Sequence, residues 1–451
     1  MSQYKYNIHD IVINIPKAVG RILDQLNQAG YEAFVVGGCV RDVILGRTPE
    51  DWDITTSAKP EQVKRLFPRT IDTGIAHGTV TVRMDHAGYE ITTYRIDGEY
   101  LDNRHPESVE YTSNLTEDLK RRDFTINAMA YNPTYGLVDH FDGISDLENH
   151  IIKCVGDPGE RFREDALRIL RAIRFSAQLG FEIDEETKSA ITEFAPNLKV
   201  ISRERIQVEL DKLLLSKEPW KIRLCYETGI SRFIMPWFDR MFATEQNTPF
   251  HDYNVGDHSI KVLMNIKADH YLRWAALLHD IGKPDVRTTD DKGIDHFYRH
   301  EMIGEEKARD ILKDLRVDNK TIDIVTRLIR YHCYHPALTM PSVRRSINRI
   351  GKDIYPSFIA LKEADMKGKS QFAHDKGKDE IRFIKEVYPE IVSANDCLSL
   401  KDLAVTGKDL VALGIKPGKE IGDILNQLLD IVLTDPEYNN KEYLLSRIKD
   451  L

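Results

Sequence analysis

The sequence predicts an α+β N-terminal head built on a mixed five-stranded sheet with helices, followed by an all-α remainder. Up to about residue 150, short apolar or alternating segments typical of strands recur with helical segments between them. From about residue 158, apolar residues recur at helical spacing and turn signals separate successive helices. The chain has 451 residues, 41% of them hydrophobic, which allows about three domains with their own cores. The five expected strands are FVV, DWDIT, GTVTVRM, YEITTYR and LVDHF.

The predicted domain boundaries follow changes in composition. The head covers residues 1–150 and a helical region follows at 151–245. A histidine-rich helical region covers 250–375, and a last helical segment covers 395–451. Few periodic apolar residues and several aromatics at about 240–256 mark the boundary before the histidine-rich region.

Composition excludes two classes of protein. The net charge of −9 excludes a protein that coats nucleic acid through bulk positive potential. Any RNA must therefore be held by a local basic patch. No apolar run approaches the roughly 18 residues of a membrane span, and the first residues do not resemble an export signal. Cysteines without a CxxC pair favour the reducing cytoplasm. Each is expected to be a small buried hydrophobe: Cys39, Cys154, Cys225, Cys333 and Cys397.

Residues 37–53, GGCVRDVILGRTPEDWD, combine a glycine turn, an arginine at a helix start and two carboxylates in one strand–turn–helix–strand unit. Gly37 and Gly38 let the backbone come close to a triphosphate. Asp51 and Asp53 are placed on the second strand, where a period of two points both carboxylates to the same face. Such a pair suits Mg²⁺ carried with nucleotide phosphates. The unit therefore predicts a nucleotidyl transfer site.

Three further motifs follow in the head. Residues 72–84 are expected to be a turn leading to a strand, and residues 95–106, RIDGEYLDNRHP, read as a mobile polar loop near the site. Residues 120–130, KRRDFTINAMA, begin with three cations and are expected to continue into a helix. Asp123 would be its N-cap, and Asn127 would reach a ribose or base.

The segment 161–175, RFREDALRILRAIRF, reads as an amphipathic helix. Its expected buried stripe is Ala166, Leu170, Ile173 and Ala177. Polar residues recur every three positions on the opposite side: Asp165, Arg168, Arg171 and Arg174. An Asp one turn from an Arg fork can hydrogen-bond a base edge, and the later arginines can neutralise phosphates. The alternative is an exposed helix face with i, i+3 ion pairs.

Together, GGCVRD, DWD, GIAHGT, RRDFTINAMA and EDALRILRAIRF resemble, in order and spacing, the class II transfer RNA nucleotidyltransferases, the CCA-adding enzymes of the polymerase β superfamily. The resemblance covers about the first 215 residues. It implies a nucleotidyltransferase head that holds metals, a neck helix that templates the incoming nucleotide, and a body and tail that grip transfer RNA.

The resemblance also implies site residues. Asp51 and Asp53 would bind two Mg²⁺, with Glu90 as a possible third carboxylate. Contacts to the nucleotide phosphates or ribose would come from Gly38, Arg41 and Arg122. Base reading would come from Asp165 and Arg168, with Arg171 and Arg174 alongside.

The implied reaction adds C, C and A to the 3′ end of transfer RNA. The 3′-hydroxyl attacks the α-phosphorus of CTP or ATP and pyrophosphate leaves. One Asp–Arg pair can satisfy the Watson–Crick edge of C or A after modest rotation, so no nucleic acid template is needed. G and U would leave buried polar groups unpaired.

The second half resembles the H…HD…H…H…D order of the HD-domain metallophosphohydrolases. The matching residues are His258, His279, Asp280, His300, His332 and Asp365. Imidazole and carboxylate ligands suit a transition metal such as Mn, Ni or Co, which would activate water against a phosphoester. The core of this expected site is His258, His279, Asp280 and Asp365. The alternative is a region with a structural role only, and the natural substrate stays open.

The tail from Leu403 to Asp430 is expected to hold two helices joined by GIKPG. In one interpretation Lys416 and Lys419 hold a transfer RNA phosphate. In the alternative, the helix pair binds no ligand.

Three rival functions stay open to different degrees. A poly(A) polymerase shares the head but is disfavoured by GIAHGTVTV. The full 95–106 loop disfavours an enzyme that adds only the two Cs, whereas one that adds only the final A is left open. A hydrolase whose head merely binds RNA is disfavoured by Asp51 and Asp53. The sequence indicates no membrane partner and does not fix the oligomeric state.

Overall fold

The computed structural model describes residues 11–98 and 109–448. The chain divides into two compact units, Met1–Pro236 and Trp237–Leu451. Within the described ranges, no helix is both long and apolar enough to cross a membrane. Most of the predicted 95–106 loop lies outside the described residues.

The first unit carries the main sheet. Its described strands, in chain order, are β1 (Ala33–Val36), β2 (Ile54–Thr56), β3 (Thr70–Gly74), β4 (Thr79–Met84), β5 (Ala87–Thr93), β6 (Arg95–Asp97), β7 (Val109–Tyr111), β8 (Met129–Asn132), β9 (Gly136–Asp139), β10 (Ile151–Ile152) and β11 (Glu182–Ile183). Seven of these described strands form one sheet in the order β3-β4-β5-β2-β1-β8-β9. The sheet is mixed, because β2 pairs with β5 in parallel and the other neighbours are antiparallel.

The predicted mixed sheet is confirmed. Among the described residues this sheet has seven strands, whereas the sequence predicts five. The two additional strands are β3 and β8. Strand β8 is buried at all four positions, so its sequence MAYN shows no alternation. The helix expected in 120–130 is wrong, because residues Thr125–Asn127 form one 3₁₀ turn that leads into β8. Strand β3 lies at the sheet edge with three of its five residues exposed, so it lacks an apolar pattern.

The sheet centre is apolar and helices cover it. All four residues of β1 are buried, and Phe34 and Val36 pack with Tyr94, Leu119 and Ala130. The described helices of this unit are α1 (Lys17–Gln28), α2 (Gly38–Ile44), α3 (Pro60–Leu66), α4 (Leu115–Lys120), α5 (Gly143–Glu148), α6 (Pro158–Glu164), α7 (Leu167–Leu179), α8 (Glu185–Phe194), α9 (Arg203–Leu214), α10 (Arg223–Glu227) and α11 (Ser231–Ile234).

The segment 161–175 is two helices rather than one. Helix α6 ends at Glu164, and Asp165 is extended, with φ −144° and ψ 103°. The expected stripe is confirmed, since all four of its residues are buried: Ala166, Leu170, Ile173 and Ala177. The opposite side is not a free face, because Arg174 is buried as well.

The second unit is helical, with one described two-stranded ribbon of β12 (Thr288–Thr289) and β13 (Asp295–His296). Its described helices are α12 (Pro236–Phe242), α13 (Val255–Met264), α14 (His270–Leu278), α15 (Lys283–Val286), α16 (His300–Asp314), α17 (Asn319–Tyr331), α18 (Met340–Ile350), α19 (Tyr355–Gly368), α20 (Gln371–Ser393), α21 (Gly407–Ala412), α22 (Lys419–Thr434) and α23 (Lys441–Arg447). The predicted pair of tail helices corresponds to α21 and α22, and Lys416 and Lys419 are exposed.

Candidate functional site

A cleft of about 700 Å³ in the first unit collects most of the predicted nucleotide and metal residues. Those that line it are Gly38, Arg41, Asp51, Asp53, Arg122, Arg171 and Arg174. Asp165 and Arg168 are not among its lining residues. The cleft lies where the turn after β1, the segment before β2 and helix α7 meet.

The carboxylates stand at the sheet edge of this cleft. The prediction that Asp51 and Asp53 lie on the second strand is wrong, because β2 begins at Ile54 and both residues precede it. The Asp53 carbonyl still accepts a hydrogen bond from Val36 N at 3.0 Å, next to the pairing of β1 with β2. Both Asp51 and Asp53 are exposed. Ile54 pairs in parallel with Ile91, which places Glu90 of β5 beside Asp53.

Partial desolvation and neighbouring charges perturb two of these acids. Partial removal from water raises the pKa of Asp53, the charge of Arg122 opposes this, and the charge of Asp51 raises it further. Partial desolvation also raises the pKa of Glu90, and the charges of Asp53 and Asp51 add to it. Three hard oxygen donors that repel one another fit a divalent cation with phosphate oxygens. Glu90 therefore joins Asp51 and Asp53 in the candidate metal site.

The turn after β1 brings an arginine to the carboxylates. Gly37 has φ +81°, which a residue with a Cβ rarely adopts. A Cβ there would also lie 3.1 Å from Nη1 of Arg122. Glycine at this position therefore lets Arg122 cross the turn and act on Asp53.

A buried hydrogen-bond chain forms one wall of the cleft. Arg41 donates through Nη1 to Asn127 Oδ1 at 2.7 Å, and Asn127 Nδ2 donates to Asp123 Oδ1 at 3.2 Å. Asp123 Oδ2 accepts from Arg171 Nε at 2.8 Å and from Nη2 at 2.5 Å. Burial would raise the pKa of Asp123, but Arg171 and then Arg168 outweigh it and hold the pKa below its usual value.

The expectation that Asp123 caps a helix is therefore wrong, because its side chain links the RRD motif to α7. Sequence reasoning missed this role, since the two partners are 48 positions apart. Arg174 is held by Glu209, with Nε 2.6 Å from Oε2, and its guanidinium lies 3.9 Å from the ring centroid of Phe175.

The proposed base-reading pair lies beside the cleft in a different set of contacts. Asp165 Oδ1 accepts from Leu167 N at 3.0 Å at the start of α7, and Oδ2 accepts from Arg205 Nη2 at 2.7 Å. Arg168 pairs with Glu164 and donates to the Arg121 carbonyl at 2.9 Å. The base-reading role of Asp165 and Arg168 stays a prediction.

The second unit brings the predicted histidines and aspartates together. Each of the four histidines has Nδ1 against a backbone carbonyl, at distances of 2.6–3.2 Å: His258, His279, His300 and His332. A carbonyl only accepts, so each Nδ1 carries a proton, and each ring in its neutral form would present a lone pair at Nε2. This anchoring of the second ring nitrogen is typical of metal-ligating histidines.

One half of the cluster is the predicted set. His258 Nε2 lies 3.2 Å from His279 Nε2 and 3.1 Å from Asp365 Oδ1. Asp280 Oδ2 is 3.2 Å from His279 Nε2. All four side chains are buried. Imidazole nitrogens and carboxylate oxygens held this close suit a shared metal ion, which makes the set a candidate metal centre.

The other half contains a ligand that the sequence analysis missed. His300 and His332 face the other carboxylate oxygen of Asp280, and Cys333 lies beside them. The cysteine was expected to be a buried hydrophobe. That expectation holds for the other four cysteines, which are buried, and is wrong for Cys333, which is partly exposed in a cavity of about 550 Å³. Its position directly after His332 was the available signal.

Lysines balance the charge of this centre. Lys283 Nζ lies 2.7 Å from Asp280 Oδ2, and Lys369 Nζ lies 2.6 Å from Asp365 Oδ2. Burial opposes ionisation of Asp365, yet Lys369 and then His258 hold the pKa of that carboxyl well below its usual value. Both aspartates are therefore available as anionic ligands.

Three family models match separate parts of the chain. Residues 33–153 match the poly A polymerase head domain, and residues 180–242 match a family described as a probable RNA- and SrmB-binding site of polymerase A. Residues 294–448 match tRNA nucleotidyltransferase domain 2.

Named relatives match almost the whole chain. A CCA-adding enzyme of Enterococcus faecalis is 34% identical over 96% of this chain and 95% of its own length. One of Ligilactobacillus salivarius is 36% identical over 98% of both chains. The crystal structure of the Bacillus stearothermophilus CCA-adding enzyme in complex with CTP is similar with a TM-score of 0.73 and 29% identity, covering 96% of this chain and 98% of that one. The chain belongs to the family of the CCA-adding enzymes, which are tRNA nucleotidyltransferases.

Proposed function

We propose that this protein adds C, C and A to the 3′ end of transfer RNA from CTP and ATP and releases pyrophosphate. The observation that carries the proposal is the convergence of Asp51, Asp53 and Arg122 in one cleft, with Glu90 next to the two aspartates, in a chain that belongs to this family. The similar B. stearothermophilus enzyme is seen in complex with CTP, which supports a nucleotide in the same fold.

The carboxylates would hold divalent metal ions, for which Mg²⁺ is the expected species. When bound, such ions make the attacking hydroxyl more acidic and neutralise charge on the departing pyrophosphate. The donor set fits, because partial desolvation and neighbouring carboxylate charge raise the pKa of Asp53 and of Glu90, and a cation would relieve that repulsion.

The other residues of the cleft bind and orient the nucleotide. Arg122 places a positive charge next to Asp53, where a triphosphate would bring further negative charge. Arg41 is fixed by Asn127 and by Asp42, so its guanidinium is preorganised against the cleft. Arg171 is neutralised by Asp123, and a bound nucleotide would compete with that carboxylate for its hydrogen bonds.

Template-free selection of the base is assigned to Asp165 and Arg168, as the resemblance implies. In the structure each is paired with a protein partner, Arg205 or Glu164, so base reading requires these side chains to exchange partners. Asp165 lies at the break between α6 and α7, and Arg168 lies in the first turn of α7.

The alternatives are less well supported. The relatives that match over nearly the full length are CCA-adding enzymes, which disfavours a poly(A) polymerase. An enzyme that adds only the final A would differ only in its product, and sequencing of the products distinguishes the two.

We place the enzyme in the cytoplasm, because its five cysteines are unpaired.

The decisive experiment uses transfer RNA that ends at the discriminator base. Purified protein is incubated with Mg²⁺ and with CTP, ATP or both, and the products are sequenced. CCA ends with both nucleotides and CC ends with CTP alone are expected. Asp51→Ala and Asp53→Ala should abolish addition and leave transfer RNA binding largely intact. The exposed Asp72, which lies outside the cleft-lining residues, gives the matched control Asp72→Ala. Addition of A to ends that already carry CC, without addition of C, would contradict the proposal.

We further propose a metal-dependent phosphohydrolase in the second unit. The supporting observation is the buried set His258, His279, Asp280 and Asp365 at a cavity that also receives the lysines Lys283 and Lys369. A transition metal such as Mn, Ni or Co would be held by imidazole and carboxylate, and the lysines suit a phosphoester.

This second activity is tested on protein purified without an affinity tag. Elemental analysis is followed by assay of a model phosphodiester and of a 2′,3′-cyclic nucleotide with added Mn²⁺, Ni²⁺ or Co²⁺. His279→Ala should lose metal and hydrolysis and keep CCA addition. The exposed His140 gives the control His140→Ala, which should keep all three. Protein that stays free of metal after the additions would end this proposal.

A further inference from the structure

A cluster of three ionisable side chains lines the same cavity as the histidines and lies outside the H…HD…H…H…D pattern. It consists of His335, Lys362 and Glu380. His335 follows His332 by three residues on the turn after α17, and Lys362 precedes Asp365 by three residues on α19. Glu380 lies on α20. Two elements that carry expected metal ligands therefore also carry two members of this cluster.

Glu380 orients the imidazole of His335. Its Oε2 lies 2.7 Å from His335 Nδ1, closer than Lys362 Nζ, which lies 3.1 Å from the same nitrogen. A carboxylate only accepts, so Nδ1 carries a proton and donates a hydrogen bond to Glu380. The His335 side chain is 69% exposed, and none of residues 11–98 and 109–448 forms a hydrogen bond with its Nε2. Nε2 is therefore free to exchange a proton with a bound ligand.

Lys362 holds both the carboxylate and the backbone beside the histidine. Its Nζ lies 3.1 Å from Glu380 Oε1 and donates to the Tyr334 carbonyl at 3.0 Å. The side chains of Lys362 and Glu380 are only 7% and 15% exposed. Burial opposes ionisation of Glu380, but the hydrogen bond from His335 and the charge of Lys362 hold the pKa of this carboxyl below its usual value. Buried charges arranged around one exposed imidazole are typical of a catalytic site rather than of a surface ion pair.

We propose that His335 is the general acid for phosphoester hydrolysis in the second unit, with Glu380 as its positioning residue. This role rests on the proposed phosphohydrolase and adds the group that protonates the leaving oxygen. The oxygen of a water attacks phosphorus, and the bond from phosphorus to the leaving oxygen breaks. The leaving oxygen keeps the electron pair and takes the proton from Nε2 of the imidazolium, which becomes neutral. The attacking water loses a proton to solvent, and solvent then reprotonates Nε2.

Two phosphodiesters that differ in their need for a general acid test this role. Bis(p-nitrophenyl) phosphate releases p-nitrophenolate, which departs as a stable anion, whereas 2′,3′-cyclic AMP releases a sugar alkoxide, which requires a proton. With Mn²⁺, Ni²⁺ or Co²⁺ added, His335→Gln should slow hydrolysis of the cyclic nucleotide about 10²–10⁴-fold and leave that of the p-nitrophenyl ester nearly unchanged. Glu380→Gln should slow the cyclic nucleotide less. Added imidazole should restore part of the rate that His335→Ala loses.

His374 provides the matched control. It lies on α20 next to Asp375 and outside the residues that line the cavity. His374→Gln should hydrolyse both diesters at the wild-type rate. Elemental analysis should find the wild-type metal content in the His335 and His374 variants, because neither residue belongs to the expected ligand set.

Nuclear magnetic resonance of the metal-free full chain gives a readout that is independent of hydrolysis. With ¹⁵N-labelled histidine, the ring signals that are absent from His335→Gln belong to His335. We expect the neutral ring to carry its proton on Nδ1, although free histidine favours Nε2. Glu380→Ala should lose this preference, because the acceptor of the Nδ1 hydrogen bond is gone.

The outcomes separate this role from the activity on which it rests. Equal slowing of both diesters in His335→Gln, wild-type hydrolysis of the p-nitrophenyl ester alone, or a neutral His335 protonated on Nε2 would overturn the role of His335. Each of these results would leave the phosphohydrolase proposal standing. Metal-loaded wild-type protein that hydrolyses neither diester would end both proposals.

Discussion

Arg171 holds the carboxylate of Asp123 with two hydrogen bonds, from Nε at 2.8 Å and from Nη2 at 2.5 Å. The pair joins the RRD motif to helix α7, and Asp123 is buried whereas about a third of the Arg171 side chain is exposed. A carboxylate that accepts a bidentate arginine is among the stronger polar contacts in a protein. The pair therefore holds the cleft wall in place and keeps Arg171 next to the position where we expect the nucleotide.

Removal of this charge should destabilise the head. Asp123→Asn leaves Arg171 without its counter-ion, and loss of one partner of a buried pair costs about 3–5 kcal/mol, which partial exposure of Arg171 reduces to about 1–3 kcal/mol. Urea unfolding measures the difference. The control is Asp85→Asn, which breaks the exposed pair of Asp85 with Arg21 and should change the free energy of unfolding by about 0–1 kcal/mol. If both changes alter the free energy of unfolding equally, the Asp123–Arg171 pair does not stabilise the head as we expect.

Removal of the charge of Asp53 should stabilise the fold, in contrast to removal of the charge of Asp123. Asp53 has a raised pKa, through partial desolvation and the charge of Asp51, so its ionised form destabilises the fold when no cation is bound. The stability linked to the protonated form is complete below about pH 3.8, the ordinary pKa, and is lost as the pH rises through the raised pKa. Asp53→Asn should therefore raise the Tm in chelator at neutral pH and lose this advantage at acid pH.

Mg²⁺ distinguishes this effect from a general stabilisation. It should raise the Tm of the wild-type protein and raise that of Asp53→Asn less, because one ligand is gone. Asp72→Asn, on the exposed edge strand, serves as control. A variant that is less stable than the wild type in chelator at neutral pH would contradict the assignment of Asp53 to a repulsive metal site.

Local chemistry explains why some of the site was predictable from the sequence. The i, i+2 spacing predicts that Asp51 and Asp53 lie close together, and both line the same cleft although they precede the strand. The glycine turn was also readable, because a φ of +81° at Gly37 demands a residue without a Cβ.

The rest depended on contacts between distant positions. The pairing of Asp123 with Arg171 spans 48 positions, and no local pattern encodes it. Helical periodicity continues through Asp165 in the sequence, but the helix breaks there, and the Asp165 carboxylate accepts a hydrogen bond from Leu167 N at the start of α7. Strand β8 was missed because burial on both faces removes the alternation that identifies a strand.

The loop between β6 and β7 is predicted to be needed for the change from C to A addition. Its residues 99–108 lie outside the described part of the chain, but the ends are defined, since Asp97 pairs with Val109 across the hairpin. Replacement of residues 98–108 by Asn-Gly supplies a tight two-residue turn for those strands. Products should then end in CC. The same dipeptide in place of Asp85-His86, at the turn between β4 and β5, is the control and should leave CCA ends. CCA ends from the shortened loop would show that it has no part in the change.

The last prediction concerns Asp165, which we assign to the base edge. Asp165→Ala should lower the use of CTP and ATP together and relax discrimination against UTP and GTP by roughly 5- to 150-fold, since a base-edge contact is worth about 1–3 kcal/mol. The measurement is kcat/KM for the four nucleotides on the same transfer RNA. Because Asp165 also accepts a hydrogen bond from Leu167 N and pairs with Arg205, the variant loses some stability as well.

Asp157→Ala separates the two effects. Asp157 caps α6 through Glu160 N at 2.8 Å, so its loss should cost about 1 kcal/mol of stability and leave the ratio of CTP to UTP use unchanged. A ratio that changes in Asp165→Ala and stays constant in Asp157→Ala supports base reading. A ratio of CTP to UTP use that is the same in both variants and in the wild type would mean that Asp165 has only a structural role at the break between α6 and α7.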